Sequence, residues 1–465
     1  MISPLDARVM DLNTESLGVD TGFLMGNAGK AVADLIRERY PGRRVRIFCG
    51  KGNNGGDGLA CALCLPDAKI SMVDGDVMRS PASTSFASKV KDRMEPFTGK
   101  ESDFDILVDA GLGTGISGRL RPVWESYVDF CNSFEGTIVS VDVPTGFGSL
   151  SQVVPDITVT MVDAKTDMNA DNSGEIVVAD IGMPQEAEMY TGPGDILRYP
   201  IPGSESHKGE MGRVLIIGGG PYFGAPAFAA RAAMRIGADM VYVATPSRAV
   251  PFIVSHAPEA MIVELPDDHL TPASVDAIVS KASECDVVLI GPGLGNSPDT
   301  LEAVKAVLGA VVTPCVIDAD GITALADYKG KLPQGSVVTP HLSEFKRLGG
   351  AERDPECVLD TASRLGCTVL LKGHVDIISD GEDISLNRTG CPAMASAGTG
   401  DILAGTVAGL IARGMSGFDA AKLAAWIVGK AGEAVFSEMS YGLCATDLED
   451  EIARQLNFAL ADAGL

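Results

Sequence analysis

Two α/β domains, each a parallel sheet covered by helices on both faces, are predicted from three observations. Short β-rich runs alternate with amphipathic segments along the chain. These runs repeatedly end in glycine-rich loops, and a polar stretch containing Pro and Gly, PIPGSESHKG at 200–209, divides the sequence in two. Strand–helix alternation favours a parallel sheet, because each right-handed crossover lays its helix on a face of that sheet. The 465 residues suit two domains of ordinary α/β size. The boundary is placed after residue 203, giving domains 1–203 and 204–465.

In the first domain, helical patterns at 5–17 and 23–40 precede β-rich runs at 45–49, 70–73, 106–108 and 138–143, with amphipathic segments at 83–93 and 123–134 between them. The second repeats the theme with runs at 214–217, 240–244, 287–290, 315–318, 336–339 and 369–371, and closes with helices over 401–411, 419–436 and 447–461. Open parallel sheets bind ligands beyond the carboxyl ends of their strands, so the loops after these runs are where chemistry is sought.

Composition narrows the partners. Hydrophobic residues at 46% and charged residues at 21% supply a large core. A formal charge of −25 argues against nucleic acid and anionic membranes, whose phosphates must be neutralised by Lys and Arg. Small anionic ligands remain allowed, since backbone N–H groups can hold them. The uncharged run 214–230 is broken by glycines and prolines and does not read as a membrane span. Asp6, Arg8 and Asp11 stand where a signal peptide needs an apolar stretch. The ten cysteines follow no repeated spacing, which fits a reducing cytoplasm. Cys61 and Cys64 form a C-x-x-C, but it lies in the apolar run 59–65, which reads as buried helix and not as a redox or metal site.

The run at 45–49 is followed by GKGNNGGDG, residues 50–58. Gly50, Gly52 and Gly55 satisfy G-x-G-x-x-G, the pattern that lets backbone amides and a helix N-terminus meet a pyrophosphate. The plainer reading is a tight turn needing positive φ. Asn53, Asn54 and Asp57 add side-chain polar groups that a turn alone does not require. A second loop, DAGLGTGISG at 109–118, and a third run ending in Asp142, Pro144, Thr145 and Gly146 bring further oxygens to strand ends. Asn54, Asp109, Asp142 and Thr145 are oxygen donors of the kind hard cations take.

In the second half, Lys208-Gly209 and Gly212 precede a run that ends in Gly218-Gly219-Gly220, followed by Gly224-Ala225-Pro226. Later runs end in Gly291 to Gly295, in Asp318-Ala319-Asp320, and in Thr339-Pro340-His341 with Glu344. The sharpest signal is Ala397-Gly398-Thr399-Gly400-Asp401 opening a helix. Small residues there let backbone N–H groups close around transferring phosphate oxygens, and Asp401 can accept the proton of an attacking hydroxyl. The competing reading makes Asp401 a simple N-cap, contributing about 1 kcal/mol.

GxGNNGGDG, VDAxxGTG and SVDVPTG, in that order, resemble the NAD(P)H-hydrate epimerase family, and LMGNAG at 24–29 resembles its early helix. The resemblance implies a Rossmann-like three-layer domain over roughly the first 200 residues. It implies that Asn53, Asn54, Gly55, Gly56, Asp57, Gly113, Thr114, Gly115, Ile116, Ser117, Gly118 and Arg119 line the hydrated dinucleotide. It further implies that Asn54, Asp109 and Thr145 hold a potassium ion, and that Asp142 faces the nicotinamide ring, as general base or as orienter.

The second half resembles the NAD(P)H-hydrate dehydratase family, which implies a ribokinase-like three-layer domain, ADP as co-substrate and Mg2+ for charge neutralisation. Carried over residue by residue, Ala225, Gly293, His341 and Asp401 contact the hydrated cofactor, with Asp401 as base. Lys372, Gly373, His374, Val375, Asp376 and Gly400 contact the adenine nucleotide. His207, His256 and His269 read as structural or surface residues. Two departures touch the nucleotide contacts: Gly220-Pro221 where the family often has a hydroxyl residue, and Gly321-Ile322-Thr323 where an Asn is frequent.

The expected activity is epimerisation of hydrated NADH or NADPH followed by ADP-dependent dehydration, in a homo-oligomer. A ribokinase-like small-molecule kinase carrying a nucleotide-binding scaffold domain is the alternative. A conventional NAD dehydrogenase would need Asp74 as its ribose partner.

Overall fold

A computed structural model describes residues 1–115 and 118–465. It forms two compact units, Met1–Ala187 and Glu188–Leu465.

In the first unit, strands β1 (Val45–Cys49), β2 (Lys69–Met72), β3 (Met94–Pro96), β4 (Ile106–Ala110), β5 (Thr137–Val141), β6 (Ile157–Met161) and β7 (Glu175–Ala179) make one sheet. Its order is β3-β2-β1-β4-β5-β6-β7, and every pairing is parallel. Alternate side chains divide between two cores, as the period of two requires. Ile47 and Val108 pack with Val32, Ile36 and Leu59 of the helices Thr21–Arg39 and Asn53–Cys64. Phe48 and Leu107 pack with Trp124, Tyr127 and Val128 of the helix Pro122–Asn132.

Helix starts follow local chemistry. Ser3 and Asp6 form a capping box ahead of Pro4, Asp20 Oδ1 accepts from Gly22 N at 2.7 Å, and Ser80 and Ser83 repeat the box before Pro81. Strand order reverses between β1 and β4, so a crevice opens beyond Cys49 and Ala110.

The second unit holds β8 (Arg213–Ile217), β9 (Met240–Pro246), β10 (Met261–Leu265), β11 (Val287–Ile290), β12 (Cys315–Ile317), β13 (Val337–Val338), β14 (Thr368–Leu371), β15 (Asp376–Ser379) and β16 (Ile384–Asn387). They are ordered β10-β9-β8-β11-β12-β13-β14-β15-β16. The last two run antiparallel. Their four-residue connection, 380–383, carries Gly381 at φ +98°, a left-handed position that glycine takes without strain. Ile216, Leu289 and Val316 face the helices Gly224–Arg235, Thr399–Ala412, Gly417–Met439 and Ala445–Asp462. Leu215, Val288 and Ile317 face Pro298–Ala310 and Pro355–Leu365. The helix Thr399–Ala412 is buried from Ile402 to Ala412. A Cβ at Gly405 would lie 2.2 Å from Ala229 O, so that contact demands glycine. Here the order reverses between β8 and β11.

Residues 188–203, expected in the first domain, fold with the second unit. Thr191 N donates to Leu386 O at 2.8 Å and its Oγ1 to Asn387 Oδ1 at 2.9 Å, which extends the β16 edge. Lys422 pairs with Asp195 at 2.9 Å, and Tyr199 OH donates to Ile236 O at 2.9 Å. The segment joins an available sheet edge, and composition alone could not show that edge. The expected linker, 200–209, is exposed from 201 to 208 and half-buried at its two ends. Among the described residues, no helix is long and apolar enough to cross a membrane.

Candidate active sites

The crevice of the first unit is a cavity of about 670 Å³. Lys51, Gly52, Asn53, Asn54 and Asp57 line it from the loop after β1 and the helix that follows, and Gly111 to Gly115 line it from the loop after β4. The glycines there serve close packing. A Cβ at Gly50 would lie 1.9 Å from Gly111 O, and one at Gly55 1.9 Å from Gly50 O, whereas one at Gly52 meets nothing within 4 Å. Gly50, Gly52 and Gly55 are not among the positive-φ glycines, so the motif welds two backbones together and frees one amide corner. Gly56 likewise abuts Met25.

Beneath these loops Asp109 is fully buried. It accepts from Thr145 Oγ1 at 2.6 Å, Thr145 N at 2.8 Å, Ser140 Oγ at 2.9 Å and Tyr127 OH at 3.0 Å. Burial pushes its carboxyl up, and these bonds, led by Thr145, oppose the shift. Asn54 Nδ2 donates to Leu112 O at 3.0 Å. Its buried Oδ1 has no hydrogen-bond partner among the described residues. Leu112 links this residue to Thr145, its O accepting from Asn54 and its N donating to Thr145 Oγ1 at 3.0 Å, and an orphan oxygen so placed is a donor that a hard monovalent cation would take.

Asp142 follows β5 with φ +60°, and it lines the cavity together with Asp11, Arg8, Asp57 and Lys165. Lys165 Nζ lies 2.5 Å from Asp142 Oδ1 and is 2% exposed. Burial, then the charge of Asp142, pushes Asp11 up to about 6. Burial pushes Asp57 well above the carboxylate range. The cavity thus holds carboxyls raised by burial beside the Lys165–Asp142 ion pair. At the rim Arg121 pairs with Asp74 at 2.5 Å.

In the second unit, side chains from three adjacent strand ends converge. Asp318 Oδ1, after β12, accepts from Thr339 Oγ1 at 2.8 Å and from Lys372 Nζ, after β14, at 2.8 Å. A Cβ at Gly400 would lie 3.5 Å from Lys372 Nζ, which brings the helix Thr399–Ala412 to the same spot. Burial lowers the Lys372 ammonium, but the charge and hydrogen bond of Asp318, with Glu344 and Asp401, outweigh it and hold the group raised. Burial, then the charge of Asp318, pushes Asp401 up to about 7 against the pull of Lys372.

Gly398 is the N-cap of that helix. Asp401 is therefore not the simple N-cap of the competing reading, and no described residue appears as its hydrogen-bond donor. Burial also raises Glu344, whose Oε2 accepts from His341 N at 2.8 Å. His341 Nδ1 accepts from Ser343 N at 3.1 Å. Asp320 Oδ2 accepts from Gly295 N at 2.7 Å, tying the β11 loop to the β12 loop, and Ala319 between them sits at φ +47°.

Comparison with known proteins follows the same division. Residues 214–454 match the family model described as NAD(P)H-hydrate dehydratase, and residues 21–166 match the model described as YjeF-related protein N-terminus. A curated bifunctional NAD(P)H-hydrate repair enzyme from Methanothermobacter thermautotrophicus is 39% identical over 492 aligned residues, covering 97% of this chain and 94% of that protein. The chain belongs to the bifunctional NAD(P)H-hydrate repair enzyme family. A second member, from Archaeoglobus fulgidus, is 36% identical and covers 96% of each. Among solved structures, an ADP/ATP-dependent NAD(P)H-hydrate dehydratase from Bacillus subtilis, co-crystallised with ATP and Mg2+, aligns with TM-score 0.52 at 27% identity, covering 58% of this chain and 98% of that one. A hypothetical protein from Streptococcus mutans aligns with TM-score 0.54 at 30% identity, covering 58% and 99%.

Within this repair-enzyme frame, Asn53, Asn54, Asp57, Gly113, Thr114, Gly115 and Asp142 line one cavity. Arg119 is exposed at 81% and pairs with Glu125 at 2.8 Å, and neither it nor Gly118 belongs to the cavity lining. Ile116 and Ser117 lie outside the described residues. In the second unit, Ala225 opens the helix Gly224–Arg235. Gly293, at φ +66°, brings its loop against Tyr222 O, 2.2 Å from where a Cβ would stand. Arg353 fixes the 372–376 loop by donating to Lys372 O at 2.8 Å and to Val375 O. Asp376 Oδ1 accepts from Gly373 N at 2.8 Å, and His374 is exposed.

Lys165, Asp11, Asp318, Asp320 and Arg353 received no role from the sequence. Asp318 and Asp320 end a run and could have been weighted by position. Lys165 and Arg353 belong to no motif and act across distant parts of the chain.

Proposed function

We propose that the chain repairs hydrated NADH and NADPH in the cytoplasm. The first unit interconverts the R and S forms, and the second dehydrates the S form with ADP, giving the reduced cofactor, AMP and phosphate. The observation that carries this reading is Asp401, pushed up to about 7 where the Gly400 helix start meets Lys372. A base of that affinity is half-ionised near neutrality, where proton transfer is most effective. The ten cysteines are free, as a reducing compartment favours.

Dehydration requires a better leaving group than hydroxide. Asp401 takes the proton of the C6 hydroxyl while that oxygen bonds the β-phosphorus of ADP, and AMP departs. The ring nitrogen's lone pair then expels phosphate, and loss of the C5 proton restores the ring. The Gly398–Gly400 backbone and Lys372 face the phosphates. Lys372, Gly373, His374, Val375 and Asp376 would hold the nucleotide, and Ala225, Gly293 and His341 the hydrated cofactor. Mg2+ would be carried on nucleotide phosphate oxygens, its usual mode, where it neutralises charge.

Epimerisation requires the C6 hydroxyl to leave as water and water to return to the opposite face. Asp57, held toward its protonated form by burial, supplies the first proton and Asp142 accepts the second, and proton exchange with solvent then returns both carboxyls to their starting forms. Potassium would be held by Asn54, Asp109 and Thr145, where it supplies fixed positive charge. The orphaned Asn54 Oδ1 supports that assignment.

The test is incubation of the purified chain with ADP, Mg2+ and a mixture of both hydrates, followed by absorbance of the reduced nicotinamide. Complete recovery of the mixture is expected. Recovery of only one epimer removes the epimerase half, and no recovery, with phosphate passed instead to another alcohol, would establish the kinase alternative.

A further inference from the structure

Lys165 is the least expected charge in the first cavity. It is 2% exposed in a segment pinned on both sides, with Ile2 N donating to Ala164 O at 2.9 Å and Thr166 N to Ile2 O at 2.8 Å. An ammonium has three N–H donors. Those of Lys165 reach Asp142 Oδ1 at 2.5 Å, Met161 O at 2.9 Å and Thr160 Oγ1 at 3.0 Å. All three are committed to the protein, so none is left to give a ligand.

Asp142 is held on one side only. Its Oδ1 accepts from Lys165 and from Met161 N at 3.2 Å, and lies 3.4 Å from Thr160 Oγ1. Oδ2 takes no hydrogen bond among the described residues. A buried ion pair is weak support for stability, because desolvation offsets attraction and an apolar pair often does as well. Fixing one oxygen of a cavity-lining carboxylate is what this pair does that an apolar pair could not.

We infer that Lys165 is the positioning residue of the epimerase reaction, clamping Oδ1 of Asp142 so that Oδ2 is the oxygen presented to substrate. This rests on the epimerase reading above. The titratable groups that feel the charge of Asp142 are Asp11 from the helix Pro4–Ser16 and Asp57 from the helix Asn53–Cys64, and Arg8, Lys51, Arg79, Arg121 and Lys165 are the cations that line the same cavity. Without Lys165, Asp142 loses the one ammonium that bonds it while Asp11 and Asp57 stay in the cavity lining, and like charges disfavour an ionised carboxylate.

The test uses the full chain with each hydrate epimer, follows the R-to-S ratio by chromatography across pH, and scores dehydration separately. Wild-type chain that fails to interconvert the epimers overturns the epimerase reading itself, before any variant is made. Given interconversion, Lys165→Met is expected to lower kcat roughly 100-fold. KM should move less than about twofold, and the acidic limb of the profile should move up by about one pH unit. Lys165→Arg should return the limb to its wild-type position. Thr160→Val, which removes one partner of the clamp and leaves the ion pair, should give a smaller change in the same sense and covers the case in which Lys165→Met does not fold. Wild-type kcat and limb in Lys165→Met, or an unmoved profile in Thr160→Val where the Met variant is unfolded, overturns the inference. So does a folded Lys165→Arg that is as impaired as Lys165→Met.

Discussion

Lys372 Nζ sits 2.8 Å from Asp318 Oδ1 and beside the backbone of Gly400, so one ammonium serves both a buried carboxylate and the start of a helix. Removing it leaves Asp318 Oδ1, among the described residues, with the Thr339 hydroxyl as its hydrogen-bond donor. Breaking a buried pair by deleting one partner costs about 3–5 kcal/mol. Lys372→Met should lower the urea midpoint of the second unit by a stability loss near the low end of that range, because Lys372 keeps some solvent contact. An unchanged midpoint would show that the pair is not coupled to folding.

Asp401 behaves oppositely. Its carboxyl is ordinarily near 3.8 and is pushed up to about 7 in the fold. Between those values the folded chain keeps a proton that the unfolded chain has released, so stability falls as pH rises through that window. Asp401→Asn removes that fall and should be at least as stable as the parent at neutral pH. ADP-dependent dehydration should drop by about 10²–10⁴. Denaturation at several pH values checks the first expectation, and absorbance recovery the second.

Asn54→Ala deletes the orphaned Oδ1, and Thr145→Val deletes the hydroxyl 2.6 Å from Asp109 while keeping the Thr145 N–H on that carboxylate. Each should raise the potassium concentration needed for half-maximal epimerisation by about tenfold or more. Titration of the initial rate with KCl, sodium keeping ionic strength constant, reads this directly. Variants that respond to potassium as the parent does would remove these residues from the ion's shell.

The glycines separate in a stability measurement. Gly55→Ala places a Cβ 1.9 Å from Gly50 O, a backbone atom that cannot step aside, and overpacking of this kind costs about 1–3 kcal/mol or more. Gly52→Ala meets nothing within 4 Å and should melt within a degree or two of the parent. Thermal scans of the two variants should therefore diverge, and equal melting points would contradict the packing account.

Much of the sheet was legible because a buried parallel strand is a nearly continuous apolar run. VRIFC at β1 and VVLI at β11 were placed to the residue. Strands β3, β7 and β10 were not foreseen: β3 is three mostly exposed residues, whereas EIVVA at β7 and MIVEL at β10 are apolar runs that were left unassigned although each is mostly exposed or half-buried in the fold. The β15–β16 hairpin escaped although Asp380-Gly381 is a turn signal, since each arm is only four residues long. β6 is fully buried and was not assigned, since two threonines interrupt the apolar run in ITVTM. At the sites, loops announced by glycine and acidic motifs were found. The groups that tune them were not, because Lys165 reaches Asp142 across 23 residues and Lys372 reaches Asp318 across 54, and such proximity exists only once strands are ordered side by side.

The left-handed backbone at Asp142, φ +60°, is retained by the same ion pair that orients its carboxylate. Asn and Gly adopt that conformation more readily than Asp. Either change would leave the buried Lys165 ammonium without its carboxylate, a loss of about 3–5 kcal/mol against about 1–2 kcal/mol of backbone relief, so a library selected purely for heat tolerance should keep aspartate at position 142.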